Sequence, residues 1–405
     1  VETVCVIGGG PAGIMLGYLL ARAGIDVTVL EKHTDFFRDF RGDTIHPSTL
    51  ELLHELGLLE RFLKVPHSQV SRMSAIIGER KMAMADFSHL PTTAKYIALM
   101  PQWDFLSFLA KEAERYPQFK LKMGWEATGL IMRDGLTTGV QVKTPDGPIE
   151  LAATLTVGCD GRHATSRVAA HLPLIEDGVP IDVLWFHIAR QSSDPENALG
   201  YMRFGRFVIL INRNDYFQVG YLIAKGSYRA IQQDGLERFH QSLERIVPFL
   251  AGRAGELDNW DKIKLLTIQV NHLERWSSPG LLCIGDAAHA MSPVGGIGIN
   301  LALQDAVATA NMLTDALRTD SLTEHDLARV QHYRERAIRN TQRVQMLAHR
   351  VLDRVLRSNG PSGPPLILRI LTRVPGFQGL VGRFVGMGLQ PQHIRATNDF
   401  LKGPV

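Results

Sequence analysis

The first thirty residues switch between two hydrophobic periods. "TVCVIG" is a short apolar run of β type, "PAGIMLGYLLARAG" spaces its apolar residues helically, and "IDVTVLEK" returns to strand alternation. A strand, a crossover helix and a second strand of these lengths predict parallel neighbours in one sheet. In "STLELLHELGLLERFL", Leu50, Leu53, Leu56, Leu58 and Leu59 follow helical spacing behind Pro47 and Ser48, which predicts a second helix. "QWDFLSFLAKEAERYP" predicts a third, ended by Pro117. Strand patterns run from about Lys120 to Val157, with "PDG" as a hairpin turn.

From about Ile175 to Ile268 the pattern is β-rich, with "RND" as a turn and one helix near "GLERFHQSLERIV". Phe217, Val219 and Tyr221 alternate, so they share one side of a strand, and that side is expected to face a ligand. After Ala306 the chain is helical to about Ser358, where "NGPSGPP" breaks it. The apolar tail beyond, with its regularly spaced arginines, reads as a C-terminal cap. A peripheral lipid contact is the alternative.

Composition narrows the classes without choosing one. Hydrophobic residues make up 45% and charged residues 21%, as in ordinary globular chains. The balance of 44 basic and 41 acidic residues, +3, argues against a nucleic-acid partner. Cys5, Cys159 and Cys283 each lie in a short β-like apolar run just before a glycine-rich turn. They form no CxxC or Cys/His cluster, so neither disulfide nor metal site is expected, and a reducing cytoplasm follows. No basic leader is expected ahead of the first strand, and no apolar run reaches the roughly 18–20 residues of a membrane span.

Three glycine-rich motifs carry the chemistry. Gly8-x-Gly10-x-x-Gly13 lies between the first strand and helix, followed directly by Pro11 and Ala12. Gly8 suits the tight turn, Gly10 lets backbone approach a pyrophosphate, and Gly13 lets the helix pack on the sheet. Glu31, followed by Lys32, ends the next strand, where a carboxylate can take ribose hydroxyls. The second motif, "VGCDGRHATSRVAA", delivers Asp160 at the end of a strand. The third, "GDAAHAMSPVGGIGINLALQD", delivers Asp286 and a second glycine-rich entry into a helix, whose free N–H groups suit a ligand gaining negative charge.

In this order and spacing, the motifs closely resemble the FAD-dependent aromatic hydroxylases, the p-hydroxybenzoate hydroxylase-like flavoprotein monooxygenases, over roughly residues 1 to 345. The resemblance implies an α/β fold: a Rossmann-like FAD domain (1–70, 96–174 and 269–345), an interleaved β-sheet substrate domain (71–95 and 175–268) and a helical C-terminal region (346–405). It also implies that Glu31 binds the adenosine ribose and Asp286 the ribitol. The Asp160 motif goes with FAD and the pyridine nucleotide. Arg41 and Gln102 match family residues that contact FAD, and Pro293 lines the pocket. Gly296, Gly298 and the backbone at Ile299 and Asn300 would face the flavin.

The implied reaction uses NADH or NADPH and dioxygen to hydroxylate an aromatic or quinone-like molecule through a flavin C4a-hydroperoxide. The cofactor carries the hard step, so no catalytic triad is expected. His46 is the candidate for substrate contact or proton transfer, whereas His289 reads as structural. Leu210, Phe217, Val219 and Tyr221 are expected to line the substrate pocket in place of a carboxylate clamp, and Arg213 in the turn is expected to be solvated. A flavin reductase of a prenyl or lipid-like substrate and a non-catalytic flavin-binding module are the alternatives. The tryptophans at 103, 125, 185, 260 and 276 form no Trp-x-Trp pair, which disfavours a halogenase. The expected assembly is a monomer or homodimer.

Overall fold

Five parallel strands form the centre of the first sheet, in the order Leu281–Cys283, Gly147–Gly158, Glu2–Ile7, Val27–Glu31 and Phe119–Met123. The computed structural model describes residues 2–37, 44–195, 199–356 and 366–395; Arg41 lies outside them. The central strand is fully buried at Val4, Cys5 and Val6, as a strand covered on both faces should be. Helices Pro11–Arg22 and Gly298–Arg318 lie together against this sheet. Its edge extends through the hairpin of Leu136–Thr144 and Gly147–Gly158, whose turn is the expected "PDG", with Gly147 at φ +122°.

The second sheet has seven strands and draws on two distant stretches of chain. Strand Arg72–Ile77 runs parallel to Leu199–Arg203, which brings the hairpin of 72–86 beside strands 181–224. Asn214 takes φ +66° in the "RND" turn between Arg206–Asn212 and Tyr216–Ala224.

Two differences from the sequence reading have local causes. The expected single helix over 48–63 is two, Pro47–Glu55 and Leu59–Phe62, because Gly57 adopts φ +69° and ends the first. The other concerns the second sheet. Phe217, Val219, Tyr221 and Leu210 point away from the first sheet and pack on Phe239 and Leu243 of helix Leu236–Ile246. The Tyr221 hydroxyl meets Ser242 Oγ at 2.9 Å. These four residues are core, not pocket wall. Alternation showed correctly that they share a face, but both faces of this sheet are covered, and period two cannot say by what. The other face presents Trp185, Ile209 and Leu222 toward Val294, Met346 and Val385.

The three cysteines form no disulfide, Cys5 and Cys283 being buried. No helix among the described residues is long and apolar enough to cross a membrane, and no acidic, histidine or cysteine group there could hold a metal ion.

Candidate active site

The three motifs meet because they leave the carboxyl ends of neighbouring parallel strands, where open α/β sheets bind their ligands. Gly8 follows one strand, Glu31 ends the next, Asp160 follows Gly147–Gly158, and Asp286 follows Leu281–Cys283. Cys159 N donates to Ile7 O at 2.7 Å and Ile284 N to Gly158 O at 3.0 Å, which ties the three turns side by side.

The first turn has no room for side chains where it packs and has room where a ligand would come. A Cβ on Gly13 would stand 1.9 Å from Gly8 O, and one on Gly8 would stand 2.5 Å from Cys159 O. A Cβ on Gly10 would meet nothing within 4 Å. The open approach therefore lies at Gly10, the N-cap of helix Pro11–Arg22, whose unbonded N–H groups favour phosphate. Ala12 is buried beside Gly285, joining the first and third motifs. The Glu31 carboxylate is held in place by Gly9 N and His33 N, each donating at 3.0 Å. Lys32 is exposed next to it, and half-buried Gln102 opens helix Gln102–Ala113.

Across the cleft, Asp286 keeps its carboxylate partly open to solvent and accepts from Arg162 Nε at 3.1 Å. Asp160 differs. Its oxygens accept from Ser166 N at 2.9 Å and Ser166 Oγ at 2.7 Å, so the side chain caps the short helix Thr165–Ala169. Burial raises its pKa against those two bonds. Its carboxylate shapes the turn through Ser166, and each oxygen keeps a lone pair for a further donor.

The third motif ends in a tight turn. Gly296 N donates to Pro293 O at 2.9 Å, with Gly295 at φ +84° and Gly296 at φ +65°, values that favour glycine. Pro293, Gly298 and Ile299 are half-buried beside this turn. Buried Asn300 accepts from Ser48 Oγ at 2.6 Å and Thr49 Oγ1 at 3.0 Å, which pins the start of helix Gly298–Arg318 to helix Pro47–Glu55.

His46 is fully buried and occupied on both nitrogens. Nδ1 pairs with Val385 O at 2.7 Å and Nε2 with Thr44 Oγ1 at 3.2 Å, while Thr44 Oγ1 also lies 3.0 Å from Gly296 O. Burial pulls its pKa down to about 4, so it is neutral at physiological pH. His46 joins the glycine turn to the C-terminal helix Phe377–Met387 and is placed to carry neither substrate nor proton. His289 is structural, as expected. Its Nε2 meets Asp305 Oδ2 at 2.6 Å, and Arg334 Nε donates to Asp305 Oδ1 at 2.9 Å. Burial opposes the Asp305 charge, but His289 and Arg334 outweigh it and hold the pKa low. Arg213 is half-buried in its turn, and its charge also reaches Asp104.

The residues that sequence reasoning missed lie on the long helix Glu324–Leu356. Gln345 receives Ser292 N at 3.2 Å and donates to Ser292 O and Val294 O, both at 3.0 Å. Gln342 donates to Asn271 O and Ala290 O. His349 Nε2 meets Ser292 Oγ at 2.6 Å, and that hydroxyl accepts from Val294 N at 3.1 Å. Positions 342, 345 and 349 share one helix face and fasten the segment holding Pro293. Polar residues on an amphipathic helix look solvated in sequence, so only their non-local partners reveal them. A cavity of about 430 Å³ lies between this helix, the Pro293 turn and the C-terminal helix, lined by Val294, Ile297, Ala348, Val381 and Phe384 among others.

The site is therefore a phosphate-ready turn, a ribose-ready carboxylate and a glycine turn beside an apolar cavity. The sequence profile of the family described as "FAD binding domain" matches residues 2–344, and the chain belongs to that family. Among curated relatives, 6-methylpretetramide 4-monooxygenase of Streptomyces rimosus is 29% identical over 399 residues, 97% of this chain and 94% of the relative. Rifampicin monooxygenase of Streptomyces venezuelae is 28% identical over 75% of this chain, but only 62% of the relative's length is spanned. In fold, the chain superposes on the anhydrotetracycline hydroxylase OxyS of Streptomyces rimosus with a TM-score of 0.76 at 23% identity, covering 97% of this chain and 77% of that one. Within the class, the protein is an FAD-dependent monooxygenase of the aromatic hydroxylase type.

Proposed function

We propose that the protein hydroxylates a flat, polycyclic, largely apolar aromatic of the polyketide type, with NADH or NADPH and dioxygen as co-substrates. The carrying observation is the cavity against the Pro293 turn. It has the volume of a small-molecule site, and its side chains are apolar except Gln345, whose amide is already bonded to the turn. Such a wall selects by shape and dryness. The monooxygenase names of the relatives, several of them for tetracycline-type ring systems, support this reading over a prenyl reductase or a non-catalytic module.

Gly8, Gly10, Gly13 and the N-terminus at Pro11 would hold the FAD pyrophosphate, Glu31 its adenosine ribose and Asp286 its ribitol. The backbone of Gly296, Gly298, Ile299 and Asn300 would meet the ring. When bound, FAD would supply the redox and oxygen chemistry; the chain's own work is binding, orientation and exclusion of water. Pro293 fixes the turn that orients the ring's surroundings, and the apolar wall keeps water from the reacting atoms. A screen of NADH and NADPH oxidation against polycyclic phenols, read by a product gain of one oxygen in mass, tests the proposal. Turnover confined to small carboxylated benzoates would overturn it.

A further inference from the structure

Half of the exposed large apolar side chains among the described residues fall between 344 and 389. On the long helix, Val344, Leu347 and Val351 form a stripe at i, i+3 and i+7, on the side opposite Gln342, Gln345 and His349. Leu347 is 62% exposed; along the following segment, Leu366 is 70%, Ile370 56% and Leu380 69% exposed. Val344 and Leu380 both line the cavity, so the long helix and the C-terminal helix each bring one of these side chains to its wall.

Charge says what would cover this face. Arg343, Arg350 and Arg354, all exposed, run along the basic edge of the Val344–Val351 stripe. Between Leu366 and Gln390 the chain carries Arg369, Arg373 and Arg383 and no acid. A second copy would set arginines against arginines. An anionic bilayer surface takes both parts at once: its acyl boundary accepts the leucines and its phosphates the guanidinium groups.

We propose that this face docks the protein on an anionic phospholipid surface, with the cavity mouth turned toward the lipid. A poorly water-soluble substrate then enters from the membrane side. The docking claim stands independently of the substrate assigned above, since lipid binding is measured without turnover.

Flotation of the full-length holoprotein with phosphatidylcholine vesicles containing about a third phosphatidylglycerol tests it. The expected result is that most of the wild-type protein floats with these vesicles, that little floats with pure phosphatidylcholine, and that 0.5 M salt releases the bound fraction. Leu347→Glu and Ile370→Glu, at exposed positions outside the cavity wall, should each cut the bound fraction several-fold with FAD content and circular dichroism unchanged. Arg373→Glu should do the same through charge. Wild-type protein that stays with the soluble fraction, or binding equal on neutral and anionic vesicles, would overturn the proposal without any variant. So would a dimer that Leu347→Glu dissolves in the absence of vesicle binding, which would assign the face to a second copy.

Discussion

Arg162 Nε stands 3.1 Å from Asp286 Oδ2 and so bridges the second and third motifs across the cofactor cleft. Both side chains are partly exposed, so the pair itself contributes at most about 1 kcal/mol to folding. The charge-assisted bond to a ribitol hydroxyl proposed for the same carboxylate would contribute more, about 1.5–3 kcal/mol. Asp286→Ala is therefore expected to weaken FAD binding by roughly 10- to 150-fold while the apoprotein melts nearly as before. Flavin titration and apoprotein melting, run together, check this. Unchanged flavin affinity would remove Asp286 from the binding site.

Gln345→Leu removes three hydrogen bonds to buried Ser292 and half-buried Val294, so their backbone groups lose these partners. The turn carrying Pro293 should lose its fixed position while the pyrophosphate turn at the end of strand Glu2–Ile7 is untouched. The expected outcome is retained FAD, a lower kcat and more hydrogen peroxide released per NAD(P)H oxidised. If product and peroxide yields match the wild type, Gln345 only stabilises the fold.

Acid should destabilise the protein through two histidines. Burial lowers the pKa of both His46 and His349 from 6.5 to about 4. A depressed histidine favours the neutral form in the folded state, so its contribution is complete above pH 6.5 and is lost as pH falls toward 4. Each group then costs about 2 kcal/mol between pH 7 and pH 5. Urea unfolding at these two pH values should show the loss, and His349→Gln should shrink it by close to half.

Phe217→Ala should lower stability by about 3–5 kcal/mol, because Phe217 is buried against Phe249 at a ring distance of 5.8 Å in the outer core. Coupling of NAD(P)H oxidation to product should stay normal in the folded fraction. Raised peroxide release with an unchanged melting temperature would return this residue to the pocket wall.

The nucleotide half of the molecule was legible because its chemistry is local. Gly8, Gly10, Gly13 and Glu31 lie within one strand–helix–strand unit, and the backbone demands on each follow from that unit alone. The far turn at 293–300 was legible for the same reason, its glycines marking where backbone can approach a ligand closely. The substrate half was not. The pattern at Phe217, Val219 and Tyr221 records burial, and burial against helix Leu236–Ile246 looks the same in sequence as burial against a ligand. His46 misled because proximity to a flavin-side loop suggested chemistry, whereas its partner Val385 lies 339 residues away. The clamp of Gln342, Gln345 and His349 was invisible because each residue type alone reads as a solvated helix surface.

The order in which the cleft is assembled has a consequence for biosynthesis. The strand at 281–283 inserts beside 147–158, the turn at Gly296 bonds back to Thr44, and the long helix must reach position 349 before that turn is fastened. That fastening waits on a residue 57 positions beyond Ser292. Until then the emerging chain has a place for phosphate and ribose but no finished seat for the ring. The seat for the ring is thus completed only once the long helix has emerged, so a chain terminated ahead of position 349 could hold the nucleotide end of the cofactor without aligning its reactive end.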